Sequence, residues 1–409
     1  MRSPFRRATG TAVALLACAW CANAAAQASW GYTDLGAVDG SFIGPLSPAD
    51  SGFGVGQAFT AGGGTGSFSY SGSSISNLGA LNGGSGGSYY VNAAGQVSGQ
   101  AYASGGSSGQ AFFYANGKFN TIASLGGNGT YVTGMNAGGT VVGYGNEAGN
   151  ASTHAFSYSN GKTTDLKTLG GSTSAAVAVN DRGQVAGNST LSGDSASHAF
   201  LYGAGTLTDL GTLGGSSSAA TGISAAGVVI GNATLSGNNA RHAFEYIGGT
   251  MVDLGTFGGT SSSAVGINSA GEIIGNATTA GNGATHAFIF ANGKLTDLGT
   301  LGGTNSYALG MDSFGDVIGL SNIAGSSAQH SFLWSNGVMT DLSAVVPGAS
   351  GFVATGINNA MQIIGTATTK AGLVHGLIVS SVPEAEGFAM ALAGFGLLAA
   401  IRRRRTPRA

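Results

Sequence analysis

The six histidines of this chain recur at an almost constant spacing, and histidine is the side chain that most often carries protons or holds metal ions near neutral pH. They are His154, His198, His242, His286, His330 and His375, separated by 44, 44, 44, 44 and 45 residues. A zinc site would need three or four ligand atoms about 2.0–2.3 Å from one ion. Because equivalent positions of a repeat are held well apart, the spacing predicts hydrogen bonding at a strand end and no metal site.

Aspartates form a second series with the same period: Asp165, Asp209, Asp253, Asp297 and Asp341. A calcium ion takes six to eight oxygen ligands, and glycoside hydrolysis uses two carboxylates about 5–10 Å apart. One carboxylate per repeat meets neither requirement and predicts a turn or a strand edge. The acids outside the series have no spacing that indicates a reaction: Glu147, Asp181, Asp194, Glu245, Glu272, Asp312 and Asp316. We therefore predict no catalytic residue, no cofactor and no enzymatic activity.

Two other repeated motifs also have a structural interpretation. Segments such as Leu213-Gly214-Gly215 are not phosphate-binding loops, because no Gly-Lys-Ser/Thr follows and no helix is predicted after them. The N-glycosylation sequon occurs at Asn188-Ser189-Thr190, Asn232-Ala233-Thr234 and Asn276-Ala277-Thr278. Since these triplets recur at the repeat interval, we assign them to loops and expect no glycosylation.

Each repeat unit contains four short strand candidates. In the unit that starts at Asp253 they are the Thr-Asp-Leu-Gly segment, a run of small residues at 264–268, residues 272–275 and residues 286–290. His286, Phe288 and Phe290 alternate and share one face, as in a half-buried strand. The pattern predicts a four-stranded antiparallel element from each repeat.

Turn residues separate the strand candidates. Asn292-Gly293 is a two-residue hairpin signal, because both central positions of that turn need positive φ. The same dipeptide recurs at 116, 160 and 336. Residues 268–271, Asn-Ser-Ala-Gly, predict a type I turn closed by a left-handed glycine.

Eight unit starts follow the repeat: Asp34, Asn77, Thr121, Asp165, Asp209, Asp253, Asp297 and Asp341. The first unit is degenerate, since residues 46–55 match its middle strands only loosely. Four strands in 40–50 residues are the spacing of a propeller blade. We therefore predict an all-β fold, a β-propeller of eight, or else seven, four-stranded blades built from repeats of about 44 residues.

The two ends of the repeat region predict how such a ring closes. The chain begins with a complete Tyr-Thr-Asp-Leu-Gly strand at 32–36, and no Asp-Leu-Gly strand follows the last strand at 374–379. The N-terminal strand would then complete the last blade and leave no open sheet edge. The Asp-Leu-Gly strand is expected to be outermost and the small-residue strand innermost. An open array and a double-layer sandwich remain alternatives.

Residues 1–26 have the features of a secretory signal peptide. Arg2, Arg6 and Arg7 precede an apolar run, and Ala24-Ala25-Ala26 is a small-residue cleavage pattern. Both cysteines, Cys18 and Cys21, lie in this segment, so the mature chain would have no thiol chemistry. Residues 15–18, Leu-Leu-Ala-Cys, also fit a lipid-attachment box roughly, which leaves a lipoprotein as an alternative.

The C-terminal tail, 382–409, combines a short motif, an uncharged stretch at 387–401 and a basic cluster. Its motif is Val382-Pro383-Glu384, and its cluster is Arg402, Arg403, Arg404 and Arg405. This order resembles the PEP-CTERM sorting signal of Gram-negative bacteria, although Ala385 replaces the usual second proline. The resemblance implies a short transmembrane helix, transient inner-membrane anchoring, processing by an exosortase-type enzyme, and export to the cell surface or matrix. A plain membrane anchor is the alternative.

Residues 27–381, the predicted propeller, contain seven basic and fifteen acidic residues, a net charge of about −8. A nucleic acid would need a basic stripe, so we expect no nucleic-acid partner. The triplet His-Ala-Phe begins at 154, 198, 242 and 286, and Asp-Leu-Gly-Thr-Leu-Gly-Gly begins at 209 and 297. These motifs resemble the HAF repeat of bacterial extracellular proteins, which implies an extracellular location but no known chemistry.

The sequence thus predicts a secreted or surface protein with a structural or adhesive role. Association with extracellular polysaccharide follows only by analogy with the systems in which PEP-CTERM signals occur. A glycan-active enzyme with a site at the propeller mouth and a protein-binding platform are the alternatives. Neither the ligand nor the oligomeric state follows from the sequence.

Overall fold

The computed structural model describes residues 29–35, 47–48, 53–59, 65–71, 74–79, 85–102, 108–343, 345–346, 350–368, 370 and 372–382. Residues 32–380 form one compact unit; of a second unit, 1–31 and 381–409, only 29–31 and 381–382 are described. The predicted signal peptide lies outside the described residues. So do Pro383, Glu384, Arg402, Arg403, Arg404 and Arg405, and only the backbone of Val382 is described. No helix in the described ranges is long and apolar enough to cross a membrane.

The described chain consists almost entirely of β-strands in groups of four, which we number as blades 1–8 in chain order. Strand β1 (Ser29–Asp34) comes first and belongs to blade 8. Blade 1 contains β2 (Ser47–Pro48), β3 (Phe53–Phe59), β4 (Thr65–Ser71) and β5 (Ser74–Gly79). Blade 2 contains β6 (Ser85–Val91), β7 (Val97–Tyr102), β8 (Gly109–Ala115) and β9 (Lys118–Thr121). Blade 3 contains β10 (Gly126–Met135), β11 (Val141–Glu147), β12 (Thr153–Ser159) and β13 (Lys162–Lys167).

The later blades are the most regular. Blade 4 contains β14 (Gly170–Val179), β15 (Val185–Leu191), β16 (Ser197–Gly203) and β17 (Thr206–Asp209). Blade 5 contains β18 (Gly214–Ile223), β19 (Val229–Leu235), β20 (Arg241–Ile247) and β21 (Thr250–Gly255). Blade 6 contains β22 (Gly258–Ile267), β23 (Ile273–Thr279), a 3₁₀ turn (Ala280–Asn282), β24 (Thr285–Ala291) and β25 (Lys294–Asp297). Blade 7 contains β26 (Gly302–Met311), β27 (Val317–Ile323), β28 (Gln329–Ser335) and β29 (Val338–Asp341), and blade 8 contains β30 (Ser350–Ile357), β31 (Gln362–Thr368), β32 (Val374–Val382) and β1.

The blades form a ring around their first strands. Each first strand contacts the first strand of the next blade, from β2 through β6, β10, β14, β18, β22 and β26 to β30, and β30 contacts β2. Within blades 2–7 the strands pair in chain order, so the Asp-Leu-Gly strand is farthest from the first strand. The fold is therefore a β-propeller of eight four-stranded blades. Small residues such as Ala220 and Ala264 lie in the inner strands, as predicted, because neighbouring blades converge there.

The ring closes through the N-terminal strand, as predicted. Strand β1 is the fourth strand of blade 8 and lies beside β32. The Leu35 N–H donates to the Gly376 carbonyl at 2.9 Å. Leu35 is buried with Phe68 and Tyr70 of blade 1 and with Ile364 and Ile378 of blade 8. The closing strand therefore extends into the apolar core between the first and last blades.

The hairpin turns have the predicted backbone. Asn292 has φ 53° and Gly293 has φ 74°, and the Asn-Gly pairs at 116, 160 and 336 have the same signs. In blade 4 the pair is Ala204-Gly205, and Ala204 adopts φ 50° without the local hydrogen bonding that favours asparagine there. The Gly271 N–H donates to the Asn268 carbonyl at 3.1 Å, and Gly271 has φ 85°, so the predicted type I turn is also confirmed.

The core lies between successive blades and is organised by a phenylalanine in the third strand. This residue is at most 1% exposed in seven blades: Phe68, Phe112, Phe156, Phe200, Phe244, Phe288 and Phe332. Its cross-strand neighbour in the second strand is a glycine, for example Gly275 opposite Phe288. A Cβ on Gly275 would clash with the Ser263 carbonyl oxygen and the Phe288 ring. The glycine in the Ile-Ile-Gly motif is thus required by the close approach of this ring.

Candidate functional site

Every histidine is paired through its Nδ1 atom with one aspartate of its own blade. The histidine lies near the start of the third strand, and the aspartate lies at or near the end of the outermost strand. The Nδ1 to carboxylate distances are His154–Asp165 3.1 Å, His198–Asp209 2.9 Å, His242–Asp253 2.8 Å, His286–Asp297 2.7 Å, His330–Asp341 2.7 Å and His375–Asp34 2.9 Å. The histidines therefore have the strand-end hydrogen-bonding role that the sequence predicts, and the aspartates lie at the predicted strand edge. In blade 8 the aspartate comes from β1.

The aspartates have a second partner that explains the Asp-Leu-Gly motif. Asp209 Oδ1 accepts the backbone N–H of Gly211 at 2.8 Å, which fixes the turn toward the next blade. Ser218 of blade 5 then accepts the N–H of Ala199 at 2.9 Å and donates to the Gly211 carbonyl at 2.5 Å. The same contacts join blade 5 to Ser262 of blade 6, and blade 6 to Ser306 of blade 7. The His–Asp pairs thus belong to a network that connects consecutive blades.

A carboxylate on Nδ1 is also the arrangement that orients a histidine base in enzymes. In this protein the carboxylates also have structural partners, and Asp341 shows their effect. Burial by itself would raise the pKa of Asp341, but hydrogen bonds from His330 and Ser343 outweigh it and lower that pKa. The same pair recurs in six blades, and in five of them the aspartate also accepts a backbone N–H of the following turn, so we assign the pairs to structure.

Blades 1 and 2 lack the pair. In blade 2 the histidine position holds Gln110, whose Nε2 donates to the Ile122 carbonyl at 2.9 Å, and the aspartate position holds Thr121. In blade 1 the histidine position holds Gly66. The first two of the eight blades therefore differ from the rest in their outer network.

Four tyrosines of blades 2 and 3 lie near one another, and we call them the tyrosine cluster: Tyr89, Tyr102, Tyr131 and Tyr144. All four are partly exposed. Tyr131 and Tyr144 are opposite each other on β10 and β11, and their rings stack with centroids 4.9 Å apart and planes 20° apart. Burial, and then the neighbouring Tyr131 and Tyr102, raise the pKa of Tyr144. Burial and Tyr102 raise the pKa of Tyr89, against a hydrogen bond with Gln57 that lowers it, so Tyr102 lies near both Tyr89 and Tyr144.

Side-chain amides border the tyrosine cluster. Asn146 follows Tyr144 by two residues on β11, so the two side chains share a face. Asn146 Nδ2 donates to Asn128 Oδ1 at 3.1 Å, and Asn128 N–H donates to Asn150 Oδ1 at 2.9 Å. The arrangement offers aromatic faces beside exposed donors and acceptors. The 44-residue repeat does not predict the cluster, because none of the four tyrosines has a tyrosine at the equivalent position of a neighbouring blade. This departure from the repeat is the sequence signal that identifies them.

Most acids outside the aspartate series have backbone or amide partners. Asp181 Oδ1 accepts the Ala137 N–H of the preceding blade at 2.9 Å, and Asp194 accepts the Ser172 N–H at 2.7 Å. Glu272 accepts from Asn268 Nδ2 at 2.8 Å. These three carboxylates therefore stabilise turns and blade contacts.

Glu147 is different, because its Oε1 lies 3.0 Å from Nδ1 of His154, which also contacts Asp165. Lys167 forms an ion pair with Asp165. Burial alone would raise the pKa of Asp165, but hydrogen bonds from Lys167 and His154 outweigh it and lower that pKa. Blade 3 thus brings an acid from outside the aspartate series, Glu147, into contact with a His–Asp pair.

The interpretation of the sequon asparagines as loop residues is wrong. Asn188, Asn232 and Asn276 lie inside the second strands β15, β19 and β23. Their Oδ1 atoms accept backbone N–H groups of the next blade at 2.7–2.9 Å, from Ala220, Ala264 and Ala308. These asparagines recur at the repeat interval because each makes the same contact with the next blade, and not because they lie in loops.

Comparison with known proteins identifies the fold but no family. No family model matches the chain, and no curated protein sequence matches it. Among solved structures, dipeptidyl peptidase 4 from Porphyromonas gingivalis is similar with a TM-score of 0.50 and 9% identity, covering 80% of this chain and 57% of that one. The β-propeller domain of the Trilobed protease from Pyrococcus furiosus has a TM-score of 0.49 and 8% identity, covering 75% and 98%. At these identities the similarity concerns the propeller architecture alone.

Proposed function

We propose that this protein is an exported, non-catalytic propeller with a structural or adhesive role at the cell surface or in the matrix, and that it binds polysaccharide through the tyrosine cluster. One observation carries the proposal. At the positions of Tyr131 and Tyr144, blade 4 has Ala175 and Asn188, so the stacked pair is not required by the repeat.

The chemistry of the cluster suits a sugar. A tyrosine ring has an apolar face that packs against the C–H face of a sugar ring, and its hydroxyl bonds to sugar hydroxyls. The amides of Asn128, Asn146 and Asn150 add donors and acceptors beside the rings. The acidic balance of residues 27–381 disfavours a polyanion, so a neutral polysaccharide is the preferred ligand.

A retention assay on immobilised exopolysaccharide and a glycan array tests this proposal. Replacing Tyr131 by Ala and Tyr144 by Asn installs the blade 4 residues. We expect the double variant to lose roughly tenfold or more in retention, since an aromatic contact is worth about 1 kcal/mol. Tyr307→Ala is the matched control, because Tyr307 occupies the Tyr131 position in blade 7 opposite Leu320 rather than a second tyrosine. Equal retention of the double variant and wild type would refute binding through the cluster.

Export is the second part of the proposal and is supported by the features of residues 1–26 and 382–409. An exosortase-type enzyme would process the tail after transient anchoring in the inner membrane. Terminal peptide mapping of the protein recovered from the surface fraction should find an N-terminus near residue 27 and no peptide containing the four tail arginines. Recovery of the intact tail would favour a plain membrane anchor.

A further inference from the structure

Blade 3 departs from the repeat at two positions that lie beside its His–Asp pair. Glu147 occupies a position where blades 4–7 have Leu191, Leu235, Thr279 and Ile323. Lys167 occupies the position of Gly211, Gly255 and Gly299 and adopts their left-handed backbone, with φ 71°. We propose that Glu147, His154 and Asp165 form a binding site for one divalent transition-metal ion of the zinc type.

The geometry of the three ligand atoms supports this site. His154 Nδ1 lies 3.0 Å from Glu147 Oε1 and 3.1 Å from Asp165 Oδ1, and all three atoms lie within 4.8 Å of one another. A tetrahedral zinc ion with bonds of about 2.0–2.2 Å holds neighbouring ligand atoms about 3.3–3.6 Å apart. An ion that replaces the Nδ1 proton would therefore lengthen the two histidine contacts by a few tenths of an ångström and draw the two carboxylate oxygens, which lie within 4.8 Å of each other, toward the same spacing.

The ligand types favour zinc over calcium. Calcium takes six to eight oxygen ligands, whereas this cluster offers one imidazole nitrogen and two carboxylates. In the part of the chain that the structure describes, it is the one place where three such groups come together. The prediction of no metal site rested on the distance between histidines of different blades. The three ligands proposed here all come from blade 3, so this distance does not separate them.

The surroundings hold the two carboxylates in position and leave access for an ion. Ser152 Oγ donates to Glu147 Oε2 at 2.8 Å, and the Lys167 N–H donates to Asp165 Oδ1 at 2.8 Å. Such outer hydrogen bonds orient the ligands of a metal site. The Glu147 side chain is 33% exposed, so solvent reaches the cluster and water can fill a fourth position.

Lys167 is the competitor of the ion. Its ammonium pairs with Asp165, but the Lys167 side chain is 71% exposed. Because the ammonium is in solvent although Asp165 is only 18% exposed, a metal ion can displace it without leaving a buried charge unpaired. Zinc binding at this site is independent of polysaccharide binding, because no residue of the tyrosine cluster is among the three ligands.

Titration calorimetry with zinc chloride on the purified full chain, carrying no histidine tag, tests the site. We expect one zinc ion per chain, and at least about tenfold weaker binding in Glu147→Leu, which installs the residue of blades 4 and 5. Lys167→Gly should bind more tightly than wild type, because the competing ammonium is gone. Asp209→Asn is the matched control in blade 4, where Leu191 replaces the glutamate, and should bind like wild type.

Two outcomes would overturn the proposal. One is no zinc binding by wild type or Lys167→Gly, which would leave the cluster as an ion-pair network only. The other is unchanged binding in Glu147→Leu, which would place the ion elsewhere. Both substitutions introduce residues that other blades accept at the same positions, so the variants should fold, and a thermal unfolding curve for each variant verifies this.

Discussion

At the residue scale, an asparagine in the turn after the first strand links several blades to the next one. Asn136 Nδ2 donates to the Asn180 carbonyl at 2.9 Å, and Asn180 Nδ2 donates to the Ser224 carbonyl at 3.0 Å. Blade 7 has Asp312 at this position. Asp312 is 4% exposed, and its Oδ2 atom has no hydrogen-bond partner among the described residues. A buried acceptor without a partner lowers the free energy of unfolding.

We therefore expect Asp312→Asn to raise the free energy of unfolding by about 1–3 kcal/mol near pH 7. The substitution replaces the unpartnered carboxylate oxygen with the amide N–H donor that several other blades have at this position. Burial and the neighbouring Asp316 raise the pKa of Asp312 in the folded protein, against backbone N–H groups that lower it. A carboxyl with a raised folded pKa stabilises the fold below its unfolded pKa, and this contribution is lost as the pH rises through the folded pKa. The advantage of Asp312→Asn should thus grow from pH 4 to pH 7.

Urea unfolding at pH 4 and pH 7 measures both effects. Asn268→Asp is the reciprocal variant, because it removes a donor that bonds to the Asp312 carbonyl at 3.3 Å and places a second carboxylate beside Glu272. It should be less stable than wild type. If Asp312→Asn and wild type had the same free energy of unfolding at both pH values, the buried carboxylate of Asp312 would not be destabilising.

At the element scale, the blade depends on close contact between its second and third strands. The third-strand phenylalanine covers a glycine of the second strand, and the aspartate that follows fixes the turn into the next blade. These two contacts explain why the Ile-Ile-Gly, His-Ala-Phe and Asp-Leu-Gly segments recur together. The repeated motifs describe packing and turn formation.

Gly275→Ala tests the contact between strands. The new methyl group would clash with the Ser263 carbonyl and the Phe288 ring, so we expect a loss of about 1–3 kcal/mol in the free energy of unfolding. Gly283→Ala is the control, because Gly283 has φ −75° and nothing lies within 4 Å of its added Cβ. It should change stability by less than about 0.5 kcal/mol. Equal effects of the two substitutions in thermal unfolding would rule out the steric explanation.

At the scale of the whole molecule, the ring is held closed by a strand from the other end of the sequence. Asp34 and Leu35 follow the predicted cleavage site by only a few residues, yet they contact His375 and Gly376. Every other blade in the described structure takes its four strands from consecutive sequence. We therefore expect the propeller to open most readily at blade 8.

Leu35→Ala should open the ring locally. Removing this buried side chain from the core between blades 8 and 1 should cost about 2–4 kcal/mol. Hydrogen exchange should accelerate mainly in β32 (Val374–Val382) and its neighbours, because β1 then detaches. In Leu254→Ala, the equivalent change between blades 5 and 6, faster exchange should occur in those blades. Uniform acceleration across the ring in Leu35→Ala would show that the closing strand is not a separate weak point.

The amino-acid sequence by itself determined the repeat, the four strands of each unit, the Asn-Gly turns and the closing strand. These features rest on local chemistry: alternation along a strand, positive φ at asparagine and glycine, and small residues where blades converge. The sequence also predicted strand-end hydrogen bonding for the histidines and a turn or strand edge for the aspartates, because equivalent residues of different repeats are held well apart.

Only the tertiary structure decided the number of blades, the partners of the sequon asparagines and the grouping of residues in blades 2 and 3. Tyr102 and Tyr131 lie on different blades, and Glu147 and Asp165 lie on different strands. Distances along the chain do not reveal such neighbours, because strand register and blade packing bring them together. Both proposed binding sites depend on these long-range contacts, where the sequence departs from its own repeat.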